Sequence, residues 1–83
     1  MYSVRILRRA VRDVADLPGN YTRLVSQHID GLRDNPRPPD AKRLRGRRDY
    51  SLRVGVYRIL YEIDDQEQAV TVYRVKHRRE AYR

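Results

Sequence analysis

Residues 50–63 read YSLRVGVYRILYEI, two alternating runs joined by two residues. Tyr50, Leu52 and Val54 alternate with Ser51 and Arg53; Tyr57, Ile59, Tyr61 and Ile63 alternate with Arg58, Leu60 and Glu62. A period of two puts each set on one face of a strand. Gly55-Val56 between them leaves room only for a tight antiparallel hairpin. A hairpin with one apolar face needs a cover, because an isolated ribbon is marginal in water. If Leu52, Val54, Ile59 and Tyr61 face that cover, Arg53 and Arg58 face away and share one exposed surface.

The cover is predicted upstream. Tyr2 to Leu7 reads as a short strand with Val4 and Ile6 on one face. Residues 8–17 carry Ala10, Val11, Val14 and Leu17 at helical spacing. Pro18-Gly19 breaks the chain, and Asn20 suits the N-cap of a second helix. That helix has the clearest apolar stripe, Tyr21, Leu24, Val25, His28, Ile29 and Leu32. So short a link folds the two helices into a hairpin. Asn35-Pro36 ends the second helix, and RPPD (37–40) continues as a stiff extended loop. AKRLRGRRD (41–49) reads as a basic turn anchored by Leu44. Asp64 to Gln68 forms a turn, and Ala69 to Lys76 a last strand. The expectation is a single α+β domain over 1–83: an antiparallel sheet with an N-terminal helical hairpin on one face, in the order β-α-α-β-β-β.

A chain of 83 residues buries only about 60% of its unfolded surface. It has no cysteine, so no thiolate can attack or bind metal and no disulfide supports the core. No apolar run is long enough for a membrane span or a secretory signal, which predicts a cytoplasmic protein with no membrane partner. The net charge of +8 is unevenly spread: residues 1–41 carry +2 and residues 42–83 carry +6. Seventeen of the nineteen basic residues are Arg, whose planar fork grips phosphate in two places. Lys42, Arg43, Arg45, Arg47 and Arg48 crowd five charges into seven residues, a polyanion surface since like charges repel unless neutralised. The partner classes are nucleic acid first and an acidic protein second.

The usual catalytic sets are missing. Ser3, Ser26 and Ser51 are the only serines, little material for a Ser-His-Asp arrangement. His28 lies on an apolar stripe and reads as a core or partly buried histidine. With His77 as the only other histidine and carboxylates dispersed, neither a metal nor another cofactor is expected. What remains is arginine, tyrosine, Lys76 and His77 near the end of the last strand. That kit suits metal-independent transesterification of RNA, in which cations around the phosphate stabilise the charge of the transition state. Lys76, His77, an arginine beside other cations, or Tyr82 are the acid–base candidates. Tyr82 could instead stack on an unpaired base.

RVGVYRILYEI (53–63), the preceding KRLRG (42–46) and the closing HRREAYR (77–83) together resemble the RelE/ParE superfamily of toxins from type II toxin–antitoxin systems. The similarity spans the whole chain, including the Leu-Pro turn of the helical hairpin. It implies a RelE-like toxin: a ribosome-dependent endoribonuclease (an mRNA interferase) that cuts mRNA and is neutralised by a cognate acidic antitoxin, with DNA reached only through the antitoxin complex. It implies catalytic roles for Arg53, Arg58 and Arg78 at the scissile phosphate and for Tyr82 at the nucleotide. Lys42 and Arg45 would belong to the rim that meets ribosomal RNA. Ser51 departs from the pattern, standing where many RelE-like members carry a second basic residue, and Val56 stands where the hairpin is usually polar.

Two other functions compete: a ParE-like inhibitor of DNA gyrase, and a non-catalytic basic nucleic-acid-binding module. Arg53 and Arg58 also have an ordinary reading, as strand charges paired with Glu62. The tail, likewise, could be a solvated basic end.

Overall fold

The computed structural model describes residues 1–44 and 48–80. Strand β1 (Ser3–Ile6) leads into helices α1 (Arg8–Ala15) and α2 (Gly19–Gly31). Strands β2 (Ala41–Arg43), β3 (Asp49–Val54), β4 (Tyr57–Asp64) and β5 (Ala69–His77) follow. They form one sheet in the order β1-β5-β4-β3-β2. The α+β class and the covering helical hairpin match the sequence pattern. Two features differ from it. Residues 41–43 pair with β3 as a short antiparallel strand, so part of the basic segment is strand and not turn. β1 runs parallel to β5, so the sheet is mixed. With β2 on the β3 edge, only the outer edge of β5 is open to β1, and the intervening helices supply the long crossover that a parallel neighbour requires.

The core lies between the helices and one face of the sheet. Val25, Ile29 and Leu32 of the α2 segment meet Leu52, Val54, Ile59, Tyr61, Ile63, Val70, Val72 and Val75. From α1, Ala10 is buried while Val14 and, just past the helix, Leu17 pack at the margin. Val11, expected on that stripe, is 53% exposed, and Ile6 and Leu24 are exposed as well. The inward line of α1 is therefore Ala10, Val14 and Leu17 at i, i+4 and i+7. Val11 falls one helical step, about 100°, off it.

The hairpin link is tied by chemistry that the sequence pattern places two residues late. Pro18, not Asn20, occupies the N-cap position of α2. Its carbonyl accepts the amides of Tyr21 and Thr22 at 2.8 and 3.0 Å. The Thr22 hydroxyl donates to the carbonyls of Val14 and Leu17 at 3.2 and 3.3 Å, satisfying groups that a helix end leaves open. The 33–40 loop is held by the Tyr61 hydroxyl, which donates to the Pro36 carbonyl at 2.7 Å.

The β3–β4 turn is the two-residue connection expected. Gly55 has φ of +60°, a conformation costly for any residue with a Cβ. A Cβ there would also lie 2.7 Å from the Tyr21 hydroxyl. Glycine thus lets α2 press directly on the hairpin.

Candidate functional site

The strand register decides what stands on the face away from the helices. Arg53 pairs directly with Arg58 across β3 and β4, and Arg58 pairs directly with Lys76 across β4 and β5. Directly paired residues project to the same face. The neighbours Val54, Ile59 and Val75 are buried in the core, so the three cations share the open face. Adjacent strands lie about 4.8 Å apart, so the row spans roughly 10 Å. Like charges directly opposite each other are unfavourable, and here there are two such steps in line.

Among the described residues, no ion pair offsets them. Among the described residues the ion pairs are Arg33–Asp30, Arg37–Asp65, Arg48–Asp64 and Arg74–Asp13. None includes a member of the row. Glu62, the ordinary partner considered for Arg53 and Arg58, pairs in register with Asp49 at the far end of the strands. It is four residues from Arg58, or about 13 Å along the strand. One Arg58 guanidinium nitrogen, Nη1, is buried with no acceptor. A buried charged donor without a partner carries a substantial desolvation cost.

The next row along the open face is Lys42, Ser51, Leu60 and Arg74. Ser51 and Leu60 are buried and give the row a compact floor. The ladder then slips: Leu60 faces Arg74, but Tyr61 faces Val72, leaving Tyr73 as the extra residue of a β-bulge. Bulges re-aim side chains. Here Arg74 meets α1 with a fork on Asp13, its Nε donating at 2.8 Å and Nη2 at 3.4 Å. The same Asp13 carboxylate accepts the Val75 amide at 2.9 Å. α1 thereby closes the edge of β5 beyond the end of β1.

Other expected site residues fall in different places. Lys42 and Arg43 are exposed on β2; Lys42 pairs with Ser51 on the open face, while Arg43 pairs with Tyr50. Arg48 is exposed and 3.7 Å from Asp64. His77 pairs with Tyr57 and contacts its ring edge-on, with centroids 5.6 Å apart, one residue past the cation row and on the opposite face. Arg78 is exposed in the turn after β5, its amide donating to the Val56 carbonyl at 2.7 Å. Arg45, Arg47 and Tyr82 lie outside the described residues. His28 is half-buried, donating from Nδ1 to the Leu24 carbonyl at 2.8 Å.

A second polar cluster, not anticipated, sits at the other end of the sheet. Arg37 donates to Asp65 through both Nη atoms, at 3.2 and 2.8 Å, and its Nε donates to the Tyr50 hydroxyl at 2.9 Å. Tyr2 donates to the same carboxylate at 2.6 Å. The bonds from Arg37 and then Tyr2 hold the Asp65 carboxyl below the ordinary carboxylate range. Burial pushes Tyr61, stacked on Tyr50, up to about 12. This cluster fastens the 33–40 loop to β1, β3 and the β4–β5 turn. Each member looked like an ordinary loop or core residue in the sequence, and no periodic signal linked them.

A sheet backed on one face by a helical hairpin, with three cations in register on the other, defines a small α+β protein with a basic open face. The chain belongs to the RelE/ParE superfamily, toxins of type II toxin–antitoxin systems. The family model for the ParE toxin of type II toxin–antitoxin system, parDE, matches residues 4–82. The chain is 37% identical over 86 residues to Toxin RelG of Mycobacterium tuberculosis, covering 99% of this chain and 97% of that protein. Its fold resembles the RelBE2 toxin–antitoxin complex of M. tuberculosis, with TM-score 0.80 and 37% identity over 92% of this chain and 96% of that one. It also resembles the archaeal RelE–RelB complex of Pyrococcus horikoshii, with TM-score 0.85 and 27% identity over 96% of this chain and 98% of that one.

Proposed function

We propose that this toxin cleaves messenger RNA on the ribosome by metal-independent transesterification. The observation that carries the reading is the row of Arg53, Arg58 and Lys76, paired in register across three strands on the open face and absent from the ion pairs among the described residues. The scissile phosphate sits over this row. The 2′-hydroxyl attacks phosphorus and its proton passes to water. The bond to the 5′-oxygen breaks, and that oxygen leaves with a proton from Lys76. The products are a 2′,3′-cyclic phosphate and a 5′-hydroxyl end. Arg53 and Arg58 hold the non-bridging oxygens, whose negative charge grows in the transition state. Fixed donors of this kind are worth roughly a hundredfold in rate each. Lys42 continues the basic face toward ribosomal RNA.

The solved relatives include toxin–antitoxin complexes with RelB, and this chain is neutralised in the same manner by a cognate acidic antitoxin. The charge of +6 in residues 42–83 gives such a partner its electrostatic target.

Mapping 5′ ends on a translated and an untranslated copy of one message, followed by chemical analysis of the cut ends, tests the reading. Cuts confined to the translated copy, with cyclic phosphate ends, are expected. Ends carrying a 3′-hydroxyl and 5′-phosphate would overturn the mechanism. A second reading, gyrase inhibition, draws on the match to the ParE toxin model. Intact message with accumulating gyrase–DNA cleavage complexes would establish it.

A further inference from the structure

Three successive amides just past β5 each have a defined acceptor. Arg78 donates to the Val56 carbonyl at 2.7 Å, and Glu80 donates to the His77 carbonyl at 2.8 Å. Between them, Arg79 donates to Nδ1 of the His77 ring at 3.3 Å. A side-chain acceptor that takes the amide two residues on is the arrangement by which Asn and Asp close a turn. His77 uses it here with a ring nitrogen. The ring is fixed from behind, since its edge contact with Tyr57 is continued by an edge contact between Tyr57 and Tyr21 at 4.8 Å. Tyr21 in turn presses on Gly55. One chain of contacts thus runs from α2, through the β3–β4 hairpin, to the point where the last segment leaves the sheet.

We infer that His77 is a positioning residue, whose neutral ring folds residues 77–80 into the turn that sets Arg78 beside the hairpin bearing Arg53 and Arg58. Its Nδ1 must be unprotonated to accept the Arg79 amide, so the proton resides on Nε2. This differs from an acid–base role. The ring lies on the face opposite the cation row, and its acceptor nitrogen is occupied. The consequence for cleavage rests on the ribonuclease reading above; the turn itself does not.

Protonation of the ring sets an N–H against the Arg79 N–H and opens the turn. His77 lines a cleft of about 530 Å³ with Asp13, Asp16 and Arg9 of α1, Tyr57 of β4, Arg74 and Lys76 of β5, and Glu80 of the turn. Asp13, Asp16 and Glu80 are the carboxylates of this cleft, and Arg9, Arg74 and Lys76 its cations. Lys76, Arg78 and Arg79, the ring's neighbours in the chain, oppose an imidazolium.

The test compares the wild-type chain with His77→Asn and His77→Phe. Asn supplies an oxygen that can accept the same amide at any pH; Phe keeps the ring contact with Tyr57 but has no acceptor. Long-range proton–nitrogen spectra at neutral pH should show the Nε2–H tautomer. Amide exchange at Arg79 should rise about fivefold in His77→Phe, the scale of one lost hydrogen bond, and stay near wild type in His77→Asn. On acidification the wild type should move to the behaviour of the Phe variant while the Asn variant does not. An Nδ1–H tautomer, or equal exchange at Arg79 in the wild type and His77→Phe, would overturn the inference. In the cleavage assay, His77→Phe should lower kcat with KM little changed, and His77→Asn should restore it. Intact message with the wild-type chain rejects the ribonuclease reading, and the tautomer and exchange data still decide the role of His77.

Discussion

Arg53 and Arg58 stand directly opposite each other on the β3–β4 ladder, with one Arg58 nitrogen buried and without an acceptor. Two like charges in register and an unmet donor both destabilise a fold. The sheet tolerates them on a surface that could have carried neutral residues. Arg58→Met keeps a long side chain and removes the charge. It should raise stability by about 1 kcal/mol, or roughly 4–8 °C in Tm for a small domain, while abolishing growth arrest. Thermal unfolding and a growth assay read the two effects. Added phosphate or sulfate should raise the Tm of the wild type and do much less for Arg58→Met. A variant that loses stability and still arrests growth would remove the row from the site.

The Arg74 fork on Asp13 is, by contrast, a charged contact that holds the fold together. Both side chains are largely covered, 24% and 17% exposed, and Asp13 also accepts a strand amide. Asp13→Ala leaves a guanidinium and an amide without acceptor and should cost about 3 kcal/mol. Asp13→Asn retains an oxygen for the Val75 amide and should cost about half as much. Urea denaturation of the two variants decides this. Equal losses would mean that the amide contributes nothing.

The contrast between these two arginine sites shows what the sequence could reveal. Arg53 and Arg58 were legible because the strand period is two and the hairpin has only two residues, so their shared face followed from counting. Lys76 was visible as a candidate, but its place in the row depended on the β4–β5 register, and a bulge at Tyr73 cannot be counted in advance. Asp13 and Arg74 are 61 positions apart, and neither lies on an apolar stripe, so no local pattern joins them. The parallel β1 was hidden for a similar reason. Four residues of strand carry no mark of direction, which is set by where the helical crossover delivers them. The N-cap was placed on Asn20 because side-chain capping is the common solution, whereas here the Pro18 carbonyl and the Thr22 hydroxyl meet the helix ends.

Tyr61 gives the fold a sensitivity to alkali. Burial is the main cause of its rise to about 12, with Tyr50 adding to it. The fold favours the neutral phenol, so its contribution is fully present below the ordinary tyrosine value of about 10. It is lost as pH rises from there toward 12. Tyr61→Phe removes the hydroxyl and its bond to Pro36, costing about 1 kcal/mol at neutral pH, and should flatten the decline between pH 10 and 12. Denaturation midpoints across that window measure the difference. Parallel curves for both proteins would show that another group governs alkaline unfolding.

Arg78 separates a backbone role from a side-chain role at one position. Its amide, not its guanidinium, makes the 2.7 Å bond to Val56, and the side chain is exposed. Arg78→Ala therefore leaves the anchor in place and opens no cavity, so stability should change by less than about 0.5 kcal/mol. If the guanidinium reaches the phosphate held over Arg53 and Arg58, its loss removes charge stabilisation worth roughly a hundredfold in rate. Growth arrest should disappear while antitoxin binding persists. Arg79→Ala is the neighbouring control. Arg79 also bonds through its amide, to His77, but its side chain follows the turn one residue further on, and its truncation should change cleavage only slightly. Arg78→Pro is the complementary variant. It lacks the amide as well as the charge, and should disturb the turn in addition to losing activity. Cleavage rates on a translated message, with unfolding midpoints for all three variants, give the comparison. Equal and small losses for Arg78→Ala and Arg79→Ala would make this end of the chain a diffuse basic patch, with no catalytic arginine at position 78.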